Sequence, residues 1–175
     1  MNKHPSAKLR CRIRCLTAVF IVGLVVSGAT AIPLQRELDV ISVRVLGVSD
    51  LASEQATSGV TAWLLKVRDA LHDTNSKYPF VAYGFDWLAF GHFVIAIAFL
   101  GAWRHPVRNI WQFQFGMIAC VLVLPYAFIF GAVRGIPVCW RLIDCSFGVF
   151  GFVPLWVCYR WTRKLAEASI CEGNP

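Results

Sequence analysis

Trp87-Leu-Ala-Phe-Gly-His-Phe-Val-Ile-Ala-Ile-Ala-Phe-Leu-Gly-Ala-Trp103 decides the fold: seventeen residues without an acidic or basic charge, closed at both ends by tryptophan. As a helix it would rise about 25 Å, close to the thickness of a bilayer's hydrocarbon core. A surface helix of a soluble protein keeps a polar face, and this stretch has none. Tryptophan at both ends fits the aromatic belts that mark membrane–water interfaces.

Three further runs share this character: Leu16 to Ile32, Trp111 to Phe130, and Leu142 to Tyr159, with Asp144 the last run's only charge. Trp111 and Trp161 also fall at run ends. Pro125 and Pro154 lie inside the third and fourth runs, where neighbouring helices and local adjustments can satisfy the carbonyls they free. Composition agrees. The chain has 175 residues, 57% apolar and only 15% charged, whereas soluble domains carry about a quarter charged residues. The fold class expected is all-α: a polytopic membrane protein with a four-transmembrane-helix bundle and a small extracytoplasmic helical segment.

The net charge of +7 raises nucleic acid as a partner. Its basic residues, however, flank apolar runs instead of gathering on a water-exposed face, which is the pattern of membrane orientation. No nucleic-acid partner is expected. With the N-terminus inside, ten basic residues face two acidic ones on the inner side, and seven face eight on the outer side. Both termini are therefore expected in the cytoplasm. The organisation is a basic cytoplasmic leader (1–15), spans at 16–34, 83–103, 111–131 and 142–160, and a cytoplasmic tail (161–175). Between the spans come an extracytoplasmic amphipathic segment (35–82), a cytoplasmic loop (104–110) and an extracytoplasmic loop (132–141). The first run also fits a signal peptide, since Ser27-Gly-Ala-Thr-Ala31 resembles a small-residue cleavage site. Apolar character continuing through Leu34, after a long leader, favours an uncleaved anchor.

In the outer segment, Leu34, Leu38, Ile41, Val45 and Val48 form one amphipathic stripe, and Val60, Leu64, Val67 and Leu71 a second. The stretch between, Ser49 to Gly59, reads as a loop, with Thr57 or Ser58 available to cap the second helix and Tyr78-Pro79 to end it. Such helices are expected to lie on the membrane surface or to roof the bundle.

At 1.5 Å per residue, position in a span converts to depth. Asp86 stays at the outer surface, His92 lies about 8 Å below it, and Tyr126 about 6–7 Å below it. Arg134 and Arg141 fall in the outer loop, and Asp144 at the entrance of the fourth span. These six residues form the candidate polar cluster. His92 shares its face with Ala89, Ala96 and Phe99, small enough in part to admit another helix. Two readings compete. Arg141 and Asp144, three residues apart, suit a local ion pair that closes a helix end, and His92 suits a bond to a carbonyl or to Tyr126. Alternatively, ionisable groups in a bilayer mark a functional site, here for a quinone, another lipophilic ligand or a proton.

Cys139 and Cys145, both expected on the oxidising side, are candidates for a disulfide. Haem is not expected: His92 is the only histidine inside a span, and Met117 lies at the opposite depth. No metal site is expected, and no P-loop, nucleophile elbow or zinc-protease motif occurs. Gly116, Cys120, Gly148 and Gly151 read as close-packing positions of the third and fourth spans. The leading functional expectation is a non-catalytic scaffold, sensor or accessory subunit, working through another membrane protein or its own oligomer. A ligand or proton site comes second, and an oligomeric conductor third.

Several stretches carry a resemblance: Tyr83-Gly-Phe-Asp-Trp-Leu-Ala-Phe-Gly-His92, His105-Pro-Val-Arg-Asn-Ile-Trp111, Phe115-Gly-Met-Ile-Ala-Cys120, Arg134-Gly-Ile-Pro137 and Trp140-Arg-Leu-Ile-Asp-Cys-Ser-Phe-Gly148. Together they resemble a group of small, uncharacterised bacterial integral membrane proteins, over about half the chain. The resemblance implies a bacterial plasma membrane and brings no activity, substrate or cofactor. Asp is common in that pattern where His105 stands here.

Overall fold

The computed structural model describes residues 4–44 and 59–172. Its elements are α1 (His4–Ala31), α2 (Leu34–Arg44), α3 (Gly59–Lys77), a 3₁₀ turn (Pro79–Ala82), α4 (Tyr83–Arg104), α5 (Ile110–Val133) and α6 (Val138–Glu172). No strand occurs among the described residues. Among the described residues four helices are long and apolar enough to cross a membrane: Ser6–Ala31, Pro79–Arg104, Ile110–Val133 and Val138–Ala168. The protein is an all-α, multi-pass membrane protein. Val45, Val48, the candidate caps Thr57 and Ser58, and all of the expected Ser49–Gly59 loop except Gly59 lie outside the described residues, and Gly59 is the first residue of α3.

Helix ends follow local chemistry. α1 stops at Ala31 because Pro33 removes a donor and disfavours helical backbone at the residue before it. Tyr78-Pro79 ends α3 in the same way, and a 3₁₀ turn leads into α4. No Gly or Pro interrupts residues 6–22 or 155–172, so helix continues through most of the basic leader and the basic tail.

The chain forms two compact units, one of Met1–Leu24 with Val94–Pro175 and the other of Val25–Phe93. The first has a core of Ile13, Phe99, Phe113, Leu155, Cys158 and Leu165, with Phe20 packed against it. The Phe20 and Phe99 rings lie 4.9 Å apart at a tilt of 55°. α5 and α6 approach closely through their small residues. A Cβ on Gly148 would stand 2.6 Å from the Cys120 carbonyl oxygen, and one on Gly151 3.0 Å from the Cys120 Sγ. On Gly116 it would meet the Leu155 side chain at 2.7 Å. The close-packing role expected for these four positions is what the structure shows.

The end of α4 is held by side chains. Arg14 donates to the carbonyls of Trp103 (3.2 Å) and Arg104 (2.9 Å). Asn109 donates to the carbonyls of Gly101 (2.9 Å) and His105 (3.0 Å), and Gln112 donates to that of Ala98 (2.7 Å). The last carbonyls of any helix lack an intrahelical partner, and an unmet one in or near lipid is costly. Arg14 therefore has a structural task as well as carrying a positive charge.

In the second unit, α1 meets α4 at Gly28, where a Cβ would lie 3.0 Å from both the Ala89 carbonyl oxygen and the His92 Cβ. Leu38 and Leu65 are buried in it, and Asn75 donates to the side-chain carbonyl of Gln35 at 2.9 Å, tying α3 to the start of α2.

Candidate functional site

The α5–α6 junction is built on a glycine. Gly135 takes a φ of +67°, a left-handed conformation that a side chain disfavours. Its N–H bonds the Ala132 carbonyl at 3.1 Å, while the Ile136 N–H bonds the Gly131 carbonyl at 2.8 Å. These two bonds make a Schellman termination of α5. Pro137 then precedes α6, and its carbonyl accepts from the Trp140 N–H at 3.0 Å.

Arg141 does not pair with Asp144. Its Nε donates to the Ile136 carbonyl at 2.7 Å, and its alkyl stem fills the space beside Gly131, where a Cβ would meet Cδ at 2.8 Å. The reason is directional. Helical side chains lean toward the N-terminus, which carries Arg141 back over the junction loop, away from a residue three positions ahead. The ion pair expected from spacing is thereby corrected: Arg141 closes the junction, and Asp144 is left out of that contact.

Asp144 is half-buried and faces α5 instead. Together with Tyr126, Phe130, Arg134 and Ile136 it lines a cavity of about 530 Å³ whose walls are mainly apolar. Among the described residues Asp144 and Arg134 form no ion pair with each other or with anything else. The cavity thus offers a carboxylate, a guanidinium and a phenol on an apolar wall.

The other two members of the expected cluster lie in the second unit. Asp86 is exposed on the first turn of α4, where a negative charge suits the helix dipole, and lines a recess of about 220 Å³ with Tyr83, Trp87 and Phe90. His92 is half-buried, and its Nδ1–H donates to the Leu88 carbonyl at 2.8 Å. The bond to its own helix's carbonyl, one of the two simple roles expected for it, is the one it has. Its neighbours Ala89, Ala96 and Phe99 are buried, as the small-residue face implied.

Cys139 and Cys145 are free thiols, the first exposed and the second buried. Both lie in α6, and six residues of helix separate them by about 9 Å of axial rise, beyond the roughly 7 Å that a disulfide tolerates between Cα atoms. The expected bridge is corrected: the helix begins at Val138, so Cys139 is already in it and not in a loop free to fold back.

A second cavity, of about 540 Å³, escaped the sequence reading altogether. It lies in the second unit, lined by the link after α1 and the first turn of α2, by α3, by the 3₁₀ turn and by the first turn of α4. The two amphipathic stripes expected between residues 34 and 71 held part of the signal, since Leu34, Val67 and Leu71 belong to them. Ile32 and Phe85, which help to line it, lie in or beside spans, and nothing in the sequence joins them.

Comparison with protein-family models, curated proteins and solved structures finds no match.

Proposed function

We propose that this chain is a non-catalytic sensor or accessory protein of the membrane that holds a lipophilic ligand with a hydrogen-bonding head, such as a quinone, in the cavity between α5 and α6. One observation carries this reading: two charged side chains that form no ion pair among the described residues, Asp144 and Arg134, share an otherwise apolar cavity with the phenol of Tyr126. Ionisable groups near lipid are costly, and a ligand that meets both a donor and an acceptor offsets that cost. The apolar wall holds the body of the molecule, and the polar groups fix its head, the division of labour of small-molecule pockets generally.

Native purification followed by mass spectrometry tests it. Wild-type protein is expected to retain a lipophilic molecule. Asp144→Asn and Tyr126→Phe are each expected to lower its retention about tenfold, the effect of losing one hydrogen bond to the ligand's head, with the melting temperature little changed. Retention unaltered in both variants would remove the reading.

The charge asymmetry supports a topology with both termini cytoplasmic, and the resemblance supports a bacterial plasma membrane. Reporter fusions within residues 104–110 are expected to register on the cytoplasmic side, and those within residues 134–137 on the opposite one.

A further inference from the structure

The cavity of the second unit has features that the first lacks. Ile32, Leu34, Val67, Leu71, Val81 and Phe85 supply apolar walls, while Gln35, Arg36, Thr74 and Asn75 supply its polar lining. Among the described residues Arg36 is the one charged residue of that lining, and it makes no ion pair with any of them. Gln35 and Asn75, bonded to each other at 2.9 Å, tie the two helices together where the polar lining gathers. At about 540 Å³ the volume falls within the roughly 300–1,000 Å³ of sites that hold one small ligand.

Its place along the chain matters as much. The apolar span of α1 ends at Ala31, and the span that contains α4 begins at Pro79. Ile32, Pro33, Val81 and Ala82, immediately beyond or at those ends, all line the cavity. Tyr83 and Trp87 stand on the adjoining turns of α4, where aromatic residues mark the boundary between headgroups and hydrocarbon. A molecule held here has its apolar part continuous with the acyl region and its head at the depth of lipid headgroups.

We infer that this cavity binds a single-chain anionic amphiphile, with its acyl chain among Ile32, Val67, Leu71 and Phe85 and its carboxylate or phosphate on Arg36. An arginine fork matches the geometry of either anion. Gln35, Thr74 and Asn75 add neutral hydrogen bonds, and among the described residues no acidic side chain lines the cavity to repel the head. One volume of this size suits one tail, and the Arg36 guanidinium selects a head of opposite sign. This site is independent of the α5–α6 cavity.

Full-length protein in nanodiscs of phosphatidylcholine, titrated with spin-labelled palmitate, tests the inference. Saturable binding of one palmitate per chain is expected above that of empty nanodiscs. Arg36→Gln is expected to weaken it about tenfold, while hexadecanol, which lacks the anion, binds wild type and Arg36→Gln alike. Leu71→Trp, which fills the cavity, is expected to abolish binding of both probes, with helical content by circular dichroism as the check on folding. Palmitoyl lysophosphatidylglycerol competing more strongly than palmitate assigns the head as phosphate, and the reverse assigns it as carboxylate. No saturable binding by wild type, or undiminished palmitate binding in both Arg36→Gln and Leu71→Trp, overturns the inference. Asp144→Asn is expected to leave palmitate binding unchanged, so failure here and failure at the α5–α6 cavity are told apart.

Discussion

Gly148→Val is expected to destabilise the protein by about 3 kcal/mol, the upper end of the usual cost of overpacking. The position has no room. An added Cβ would stand 2.6 Å from the Cys120 carbonyl oxygen, and Val123 Cβ is 3.6 Å from the same point. The nearest obstacle is backbone in the middle of α5, so no flexible side-chain end can move aside. Relief requires α5 and α6 to separate, which loosens Gly151 against Cys120 and Gly116 against Leu155 in the same stroke. Association of membrane helices depends on close van der Waals packing more than on expelling water, so this loss has little to offset it. Gly91 is the control. Nothing lies within 4 Å of a Cβ built there, and Gly91→Ala is expected to be neutral or to stabilise by up to about 1 kcal/mol through helix propensity. Thermal melting and SDS titration in mild detergent measure both. Equal stability of the two variants would mean that α5 and α6 are not packed through Gly148.

The spans were legible because lipid imposes a blunt pattern: long apolar runs bounded by tryptophan and basic residues. The extent of α1 and α6 was less so, since a basic leader can be helix or coil, and only the absence of Gly and Pro tells them apart. In the candidate site, the grouping of Tyr126, Arg134 and Asp144 follows from a short hairpin, which brings the last turns of one span beside the first turns of the next. Spacing misled for Arg141 and Asp144. Three residues apart places two side chains on neighbouring parts of one face, but not which way each leans, and the free carbonyl of Ile136 lay within reach of the arginine. The cavity of the second unit was invisible for a different reason. Its walls come from four elements, and an amphipathic stripe states that a face will be covered without stating by what. Arg14 shows the same limit from the other side. It read as one positive charge among several, whereas its bonds to the Trp103 and Arg104 carbonyls depend on where α4 happens to end.

Phe99→Ala carries the second large effect. Phe99 is 1% exposed, at the centre of the first unit's core. Its ring lies 4.9 Å from that of Phe20 on α1 and 6.5 Å from that of Phe113 on α5, and it borders Gly116 across the same interior. In a soluble protein this truncation costs about 3–5 kcal/mol, part transfer of the ring from water and part the cavity left behind. The transfer part largely vanishes here, because a helix released from its neighbours meets acyl chains no more polar than the core. What persists is the cavity with its lost dispersion contacts, together with about 0.5–1.5 kcal/mol for each broken aromatic pair. The expected cost is therefore about 2–3 kcal/mol, measured by the same SDS titration. Phe150, at 76% exposed, separates the two contributions. Phe150→Ala removes an equal ring from a surface facing lipid or detergent, with no cavity to leave, and is expected to change stability by less than about 0.5 kcal/mol. A large loss at Phe150 would show that the outward face is covered by a partner or a second copy. A negligible loss at Phe99 would mean that α1, α4 and α5 do not meet around that ring, and the core would have to be sought elsewhere.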